Sequence, residues 1–138
     1  MTFQTYFAVY GDPVPKGRPR FTRQGRTYTP KRTHDYETEV AMMAKAAMGS
    51  QEPLKTPVMA CIYITYAVPP SYTKKRREAC LNGFERPSRH DIDNVCKAVL
   101  DACNGIVYLD DKQVCSLHTT KVFGDTSMVE VYFKEELL

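Results

Sequence analysis

The stretch that most restricts the fold is PVMACIYITYAV, residues 57–68, because it is apolar on both alternating faces. Val58, Ile62, Ile64 and Val68 point one way, and Met59, Cys61 and Tyr63 the other. Side chains of a strand alternate between two sides of a sheet, so apolar residues on both sides predict a central strand covered on both faces. Its longest apolar run, 58–64, is far too short to cross a bilayer, which takes about 20 residues as a helix. Pro69-Pro70 ends the strand, since proline cannot donate to a ladder.

The remaining segments arrange themselves around that strand. Residues 2–10 are aromatic and β-branched and stop at Gly11-Asp12-Pro13, the pattern of a first strand. Residues 33–48 read as a helix with Glu37, Glu39 and Lys45 outside, Val40, Met43, Ala44 and Ala47 inside, and Gly49 as its stop. A second helix is expected over 71–83, followed by a loop over 82–90 and a third helix from about 92 to 103. After Gly105 come a short strand at 106–109, a turn at Asp110-Asp111 and a strand through about Val122. The last strand, 128–134, alternates Val129, Val131 and Phe133 against Glu130 and Lys134. This order predicts an α+β fold, one domain over 1–138 with a small mixed β-sheet and helices packed against it. A chain of 138 residues, 43% hydrophobic and 25% charged, is long enough to bury such a core and has the composition of a soluble protein. Gln4 and Thr5 interrupt the start, so no signal peptide is expected. Five cysteines without a CxxC pair argue for free thiols in a reducing cytoplasm rather than a disulfide framework or a zinc site.

The net charge of +3 is informative only once it is located. Segment 16–32, KGRPRFTRQGRTYTPKR, holds seven Lys/Arg and no acid, while the other residues carry twelve basic and sixteen acidic side chains. The whole basic excess therefore sits in one stretch rich in turn formers, with a short hairpin expected around Gly25. Lys16, Arg18, Arg20, Arg23, Arg26, Lys31 and Arg32 are the candidate phosphate contacts, in preference to a plain solvated face. Lys74, Lys75, Arg76 and Arg77 crowd the start of the second helix, where cations oppose the helix dipole. They mark either a second phosphate-contacting surface or a tolerated solvent face.

The third helix opens on two aspartates around an isoleucine, Asp91-Ile92-Asp93. At about 100° per residue, Ile92, Val95, Cys96, Val99, Ala102 and Cys103 fall in one stripe roughly 120° wide. Asp91 and Asp93 flank it about 160° apart, so they converge only if Asp91 is still extended before the first turn. Lys97 and Asp101 follow Asp93 at i+4 and i+8 on a charged stripe away from the core. A single DxD is most often a cap and a solvent carboxylate. Here a second acidic pair, Asp110-Asp111, sits in a turn that can return beside the helix, and His90 and His118 are isolated. A cluster of carboxylates alone suits a hard cation, Mg²⁺ with Mn²⁺ as substitute. Basic loop, carboxylate metal site and nearby lysine together are what phosphodiester hydrolysis requires.

The run DIDNVCKAVLDACNGIVYLDDKQV resembles the core motif of the RusA family of Holliday junction resolvases, D-[IL]-D-N-x-x-K-A-x-x-D-A followed by a short strand ending D-D-x-Q. PVPKGRPRFTRQGRTYTPKRTHDYE resembles the N-terminal segment common in that family. The two blocks cover a little over a third of the chain. The resemblance implies a Mg²⁺-dependent endonuclease of bacteria and their prophages that resolves four-way DNA junctions as a homodimer. It places the essential metal-site carboxylates on Asp91, Asp93 and Asp111 and the catalytic lysine on Lys97. Asp110 and Asp101 match further motif positions and are expected to orient Asp111 and Lys97 respectively. Two competing readings are a branched-DNA binding module without catalysis and a metal-dependent hydrolase of small phosphorylated molecules. The length of the basic segment counts against the second.

Overall fold

A computed structural model describes residues 4–17, 20–28 and 30–136. Strand β1 (Thr5–Tyr10) is followed by a small hairpin of β2 (Arg20–Phe21) and β3 (Thr27–Tyr28), then helix α1 (Lys31–Met48) and strand β4 (Val58–Ala67). Helices α2 (Lys74–Leu81) and α3 (Ile92–Ala102), a 3₁₀ turn (Asp111–Gln113) and strands β5 (Val114–Gly124) and β6 (Met128–Glu135) complete the order. The main sheet runs β1-β6-β4-β5, with β4 and β5 parallel and the other two pairs antiparallel. Parallel neighbours need a long crossover. Helices α2 and α3 lie within this one, and α3 runs along the edge strand β5, with which it makes side-chain contacts.

Residues 57–68 do form a central strand, between β6 and β5. Val58, Ala60, Ile62 and Ile64 are fully buried and join Phe7, Val9, Val129, Val131 and Phe133 in the core. Tyr36, Val40, Ala44 and Met48 of α1 and Val95, Ala98 and Val99 of α3 close that core from one side. Burying each large apolar side chain contributes about 1.5–3 kcal/mol, so this layer carries the fold. The other face of β4 is not covered as expected. Met59 and Tyr63 are only half-buried, and Tyr6, Tyr132, Tyr63 and His118 form a row of rings across all four strands at centroid spacings of 4.6, 5.6 and 5.8 Å. Apolar alternation predicts two covered faces, but one side is filled by aromatic rings packing on each other.

Further differences from the sequence reading have local causes. Helix α1 buries Thr33, Tyr36, Val40, Ala44 and Met48, so Met43 and Ala47 face outward. Only a narrow i,i+4 row of the helix meets the sheet. The expected strand at 106–109 reduces to single bridges of Tyr108 with Leu54 and with Asn104, because the chain turns at Asn104-Gly105, where Gly105 has φ of 75°. Val107 and Tyr108 are nonetheless fully buried. Helix α2 is shorter than 71–83 because Thr73 caps it, its side chain accepting from the Arg76 N–H. Residues 2 and 3 of the first expected strand lie outside the described residues. The hairpin at Gly25 is present, closed by Thr22 N–H donating to the Arg26 carbonyl at 2.7 Å. All five cysteines are free and only Cys115 is exposed. No helix among the described residues is long and apolar enough to cross a membrane.

Candidate active site

Helix α3 builds one side of the site. Its apolar stripe is buried through Val95, Cys96, Val99 and Cys103, which turns Asp93, Lys97 and Asp101 together away from the core. Asp91 is the N-cap residue, extended at φ −82° and ψ 130°, and its side chain makes no capping bond. That extended state is the condition under which the two aspartates can approach each other. Asn94 links them: its N–H donates to Asp93 Oδ1 at 2.9 Å and its side-chain amide donates weakly to Asp91 Oδ2 at 3.5 Å.

The backbone entering the helix is held in an unusual shape. His90 has φ of 63°, in the left-handed region that few residues other than glycine adopt. Lys121 Nζ donates to the carbonyls of His90 at 2.8 Å and Arg89 at 3.3 Å, and the Tyr66 hydroxyl lies 2.9 Å from His90 Nδ1. Burial holds the His90 imidazole below its usual range, assisted by the charges of Arg89, Arg32 and Lys121. Asp91 therefore leaves a pinned peptide.

The 3₁₀ turn supplies the opposite side. Asp110 accepts from the Lys112 N–H at 2.9 Å, while the Gln113 side chain accepts from the Asp110 N–H at 3.0 Å, a reciprocal capping box. The Gln113 amide also donates to the carbonyls of Leu54 and Thr56 at 2.9 and 3.0 Å, which ties the turn to the approach of β4. Asp111 receives its own support from Asn104, whose side-chain oxygen accepts the Asp111 N–H at 2.7 Å. Sequence reasoning did not single out Asn104; its place before a turn glycine was the available signal. It also passed over Asn94, although that residue stands in the matched motif.

A cavity of about 320 Å³ brings Asp93, Lys97, Asp101 and Asp111 onto one surface, floored by Cys96 and Leu100. Asp111 and Asp101 share a hydrogen bond. That bond raises Asp111 above the ordinary carboxylate range, with partial burial and the charges of Asp101 and Asp110 adding to it. Burial alone would raise Asp101 too, but hydrogen bonds from Asp111 and Lys16 and the charges of Lys16 and Lys97 outweigh it and hold Asp101 low. Asp91 does not line this cavity, and among the described residues no three acidic, His or Cys side chains stand close enough to hold one ion. Helical rise explains part of that. Asp93 and Asp101 are eight residues apart, about 12 Å along the axis, and Asp111 leans towards the Asp101 end. The donor set is all carboxylate oxygen, with Asp101 and Asp111 side by side against their mutual repulsion, and this chemistry fits a hard divalent cation.

Lys16 is placed differently from a solvent-facing phosphate contact. Its ammonium pairs with Glu37 of α1 and, at 3.2 Å, with Asp101, and its N–H donates to the Asn94 carbonyl at 2.8 Å. Asp101 in turn lies 3.8 Å from Lys97, the ion pair expected at i,i+4. With all three of Lys16, Glu37 and Asp101 about 20% exposed, Lys16→Met takes the cation from Glu37 and leaves Asp101 with Lys97 alone, at 3.8 Å. It is expected to cost about 1–3 kcal/mol, read as a lower urea midpoint at unchanged slope. Arg23, Arg26, Lys31 and Arg32 are exposed, Lys31 pairing with Asp35 at 2.8 Å. Arg18 lies outside the described residues, as does the side chain of Arg20. Of the second basic group, Arg76 is bonded to Glu85 and Arg77 to Asp125, while Lys74 and Lys75 are exposed.

"Uncharacterized protein YqaN" of Bacillus subtilis (strain 168) is 35% identical over 136 residues, covering 94% of each chain. The family model described as Endodeoxyribonuclease RusA matches residues 10–134, which include every residue of the carboxylate cavity and the basic segment. The chain belongs to the RusA endodeoxyribonuclease family.

Proposed function

We propose that this protein is a Mg²⁺-dependent endonuclease of the bacterial or phage-infected cytoplasm that resolves four-way DNA junctions, acting as a homodimer that makes paired, symmetrical incisions. The observation that carries the reading is the gathering of Asp93, Lys97 and Asp111 around one cavity, with Asp91 fixed at the adjoining helix start. A strong basic segment and membership of an endodeoxyribonuclease family give that cavity its substrate class.

Asp91, Asp93 and Asp111 would hold the metal. When bound, Mg²⁺ polarises a phosphoryl oxygen and lowers the pKa of an attacking water. Asp91 is exposed and free of a capping bond, so its carboxylate can turn toward the cavity by a change of rotamer while its backbone stays pinned. Asp111, which lies beside Asp101, would offer its carboxylate to the cation from the 3₁₀ turn. Asp101, kept anionic by Lys16, then holds Lys97 over the cavity. Lys97 is 60% exposed and offers a compact positive charge to the phosphate as negative charge develops there.

The deciding experiment incubates the protein with a synthetic four-way junction and with linear duplex, each with and without Mg²⁺. Cutting of the junction alone, and only with Mg²⁺, is expected. Metal-independent junction binding without any cutting would favour the non-catalytic binding module, the reading to which the separation of Asp91 from the cavity lends some support.

Lys97→Ala is expected to lower the single-turnover rate by about 10²–10³-fold while changing junction affinity little. Lys97→Arg should not restore it, because a planar guanidinium does not reproduce a compact ammonium. Equal losses in rate and affinity would make Lys97 an ordinary phosphate contact. Neutralising Arg18, Arg20 and Arg23 together is expected to weaken binding and flatten its salt dependence by about 0.9 in log–log slope per lost duplex phosphate contact. An unchanged slope in a salt titration would place that loop away from DNA.

A further inference from the structure

A second cavity, about 350 Å³, opens on the far side of the α3 entry, and its residues play no part in the carboxylate cavity. Pro69, Tyr72 and Phe123 form its apolar walls, and Asp12, Arg89 and Ser127 its polar end. The two rings meet edge to face, with centroids 6.5 Å apart and planes at 65°, so they form a corner rather than a closed stack. The Tyr72 ring is held in advance: the Arg76 guanidinium lies 3.7 Å over it and is itself fixed by Glu85 at 3.1 Å. At the polar end Arg89 Nη1 donates to Asp12 Oδ2 at 2.9 Å. Both members of this pair are about half exposed, so either can change partners at little cost.

A preformed pocket of this volume with aromatic walls and a few convergent polar groups fits one small planar ligand. An acceptor beside a donor, Asp12 beside Arg89, matches the hydrogen-bonding edge of a nucleobase. Arg89 precedes Asp91 by two residues, and the bend at His90 keeps that stretch below the about 7 Å of a fully extended chain, the length of about two stacked nucleotides at 3.4 Å each. The pocket therefore lies within a nucleotide or two of Asp91. Base pairing and stacking are weakest where strands exchange, so extruding a base costs least there.

We propose that this cavity takes one unpaired nucleobase from the branch point of the bound DNA, stacked in the Tyr72–Phe123 corner with its edge on Asp12 and Arg89. The proposal rests on the junction reading above. It makes the pocket a specificity device: a base seated there fixes which phosphate lies at the carboxylates, so the choice of cutting position depends on sequence at the exchange point.

The test is a cycle between Tyr72→Ala and single abasic sugars, placed in turn at each nucleotide around the exchange point, with junction affinity measured in the absence of divalent ion. On an intact junction Tyr72→Ala should weaken binding about 5- to 150-fold, the range for loss of one stacked base. At one abasic position, within two nucleotides of the cut, wild type and Tyr72→Ala should bind equally. Asp12→Asn and Arg89→Gln, on the exposed pair, should leave the fold intact and redistribute cutting among positions in Mg²⁺. Additive losses at every position, with unchanged cutting positions in both surface variants, would overturn the proposal while leaving the junction reading in place. Failure of the wild-type protein to bind any junction would instead remove the junction reading and this inference with it.

Discussion

Asp111→Asn is expected to abolish cleavage of a four-way junction in Mg²⁺ while leaving the protein folded. Asparagine keeps the shape of the side chain and the backbone N–H that donates to Asn104, but it offers a neutral amide where a carboxylate would meet the cation. The stabilisation that a metal gives a phosphoryl transition state is several kcal/mol, and each 1.4 kcal/mol is a factor of ten in rate. A loss of at least about 10²–10³-fold follows. Asp91→Asn and Asp93→Asn should do the same, with junction binding retained or tightened because a negative charge near the phosphates is removed. Divalent-ion binding supplies a readout independent of turnover: wild type should gain thermal stability on addition of Mg²⁺ or Mn²⁺, and each variant should gain less. Asp111→Asn also removes the charge that Asp101 and Asp110 disfavour at this position, so the variant without metal should be no less stable than wild type. Near-wild-type cutting by any one of the three removes that residue from the metal site.

What could be read before the structure divides along physical lines. Periodicity reports burial, and it located β4, α3 and β6 with their inward faces because those elements pack on the core through most of their length. It misjudged Met43 and Ala47, where the helix meets the sheet through a narrower row than its apolar residues allow. It also took the aromatic outer face of β4 for a covered one, since rings packing on rings leave the same apolar signature as a helix overhead. Part of the candidate site was legible as residue types in a motif: Asp93, Lys97, Asp101 and Asp111 come to one cavity, while Asp91, expected with them, does not line it. Which group holds which was not legible. The attachment of Lys16 to Glu37 and Asp101 and the left-handed turn at His90, held by Lys121 and Tyr66, depend on contacts between segments distant in sequence. No local pattern encodes them. Residue 16 looked like its basic neighbours and serves a different end.

The assembly is the remaining large effect. A four-way junction has approximate two-fold symmetry, and resolving it into two duplexes takes two matched incisions. Asp93, Lys97 and Asp111 meet in one carboxylate cavity among the described residues, so a single copy must release and rebind to cut the second strand. Two copies related by a dyad present identical sites to opposite strands, with the protein axis along that of the junction. A dimer at micromolar concentration and paired nicks within the lifetime of one complex are therefore expected. The basic segments of both subunits should then line one continuous surface, because the arms of the DNA far exceed one cavity in size. A cruciform plasmid separates the possibilities, since a first nick relaxes supercoiling and destroys the cruciform before a rebinding enzyme can cut again. A dimer converts it directly to linear DNA. Nicked circles as the sole product, from a protein that sediments as a monomer, would rule the paired mechanism out and leave a nuclease that cuts one strand per encounter.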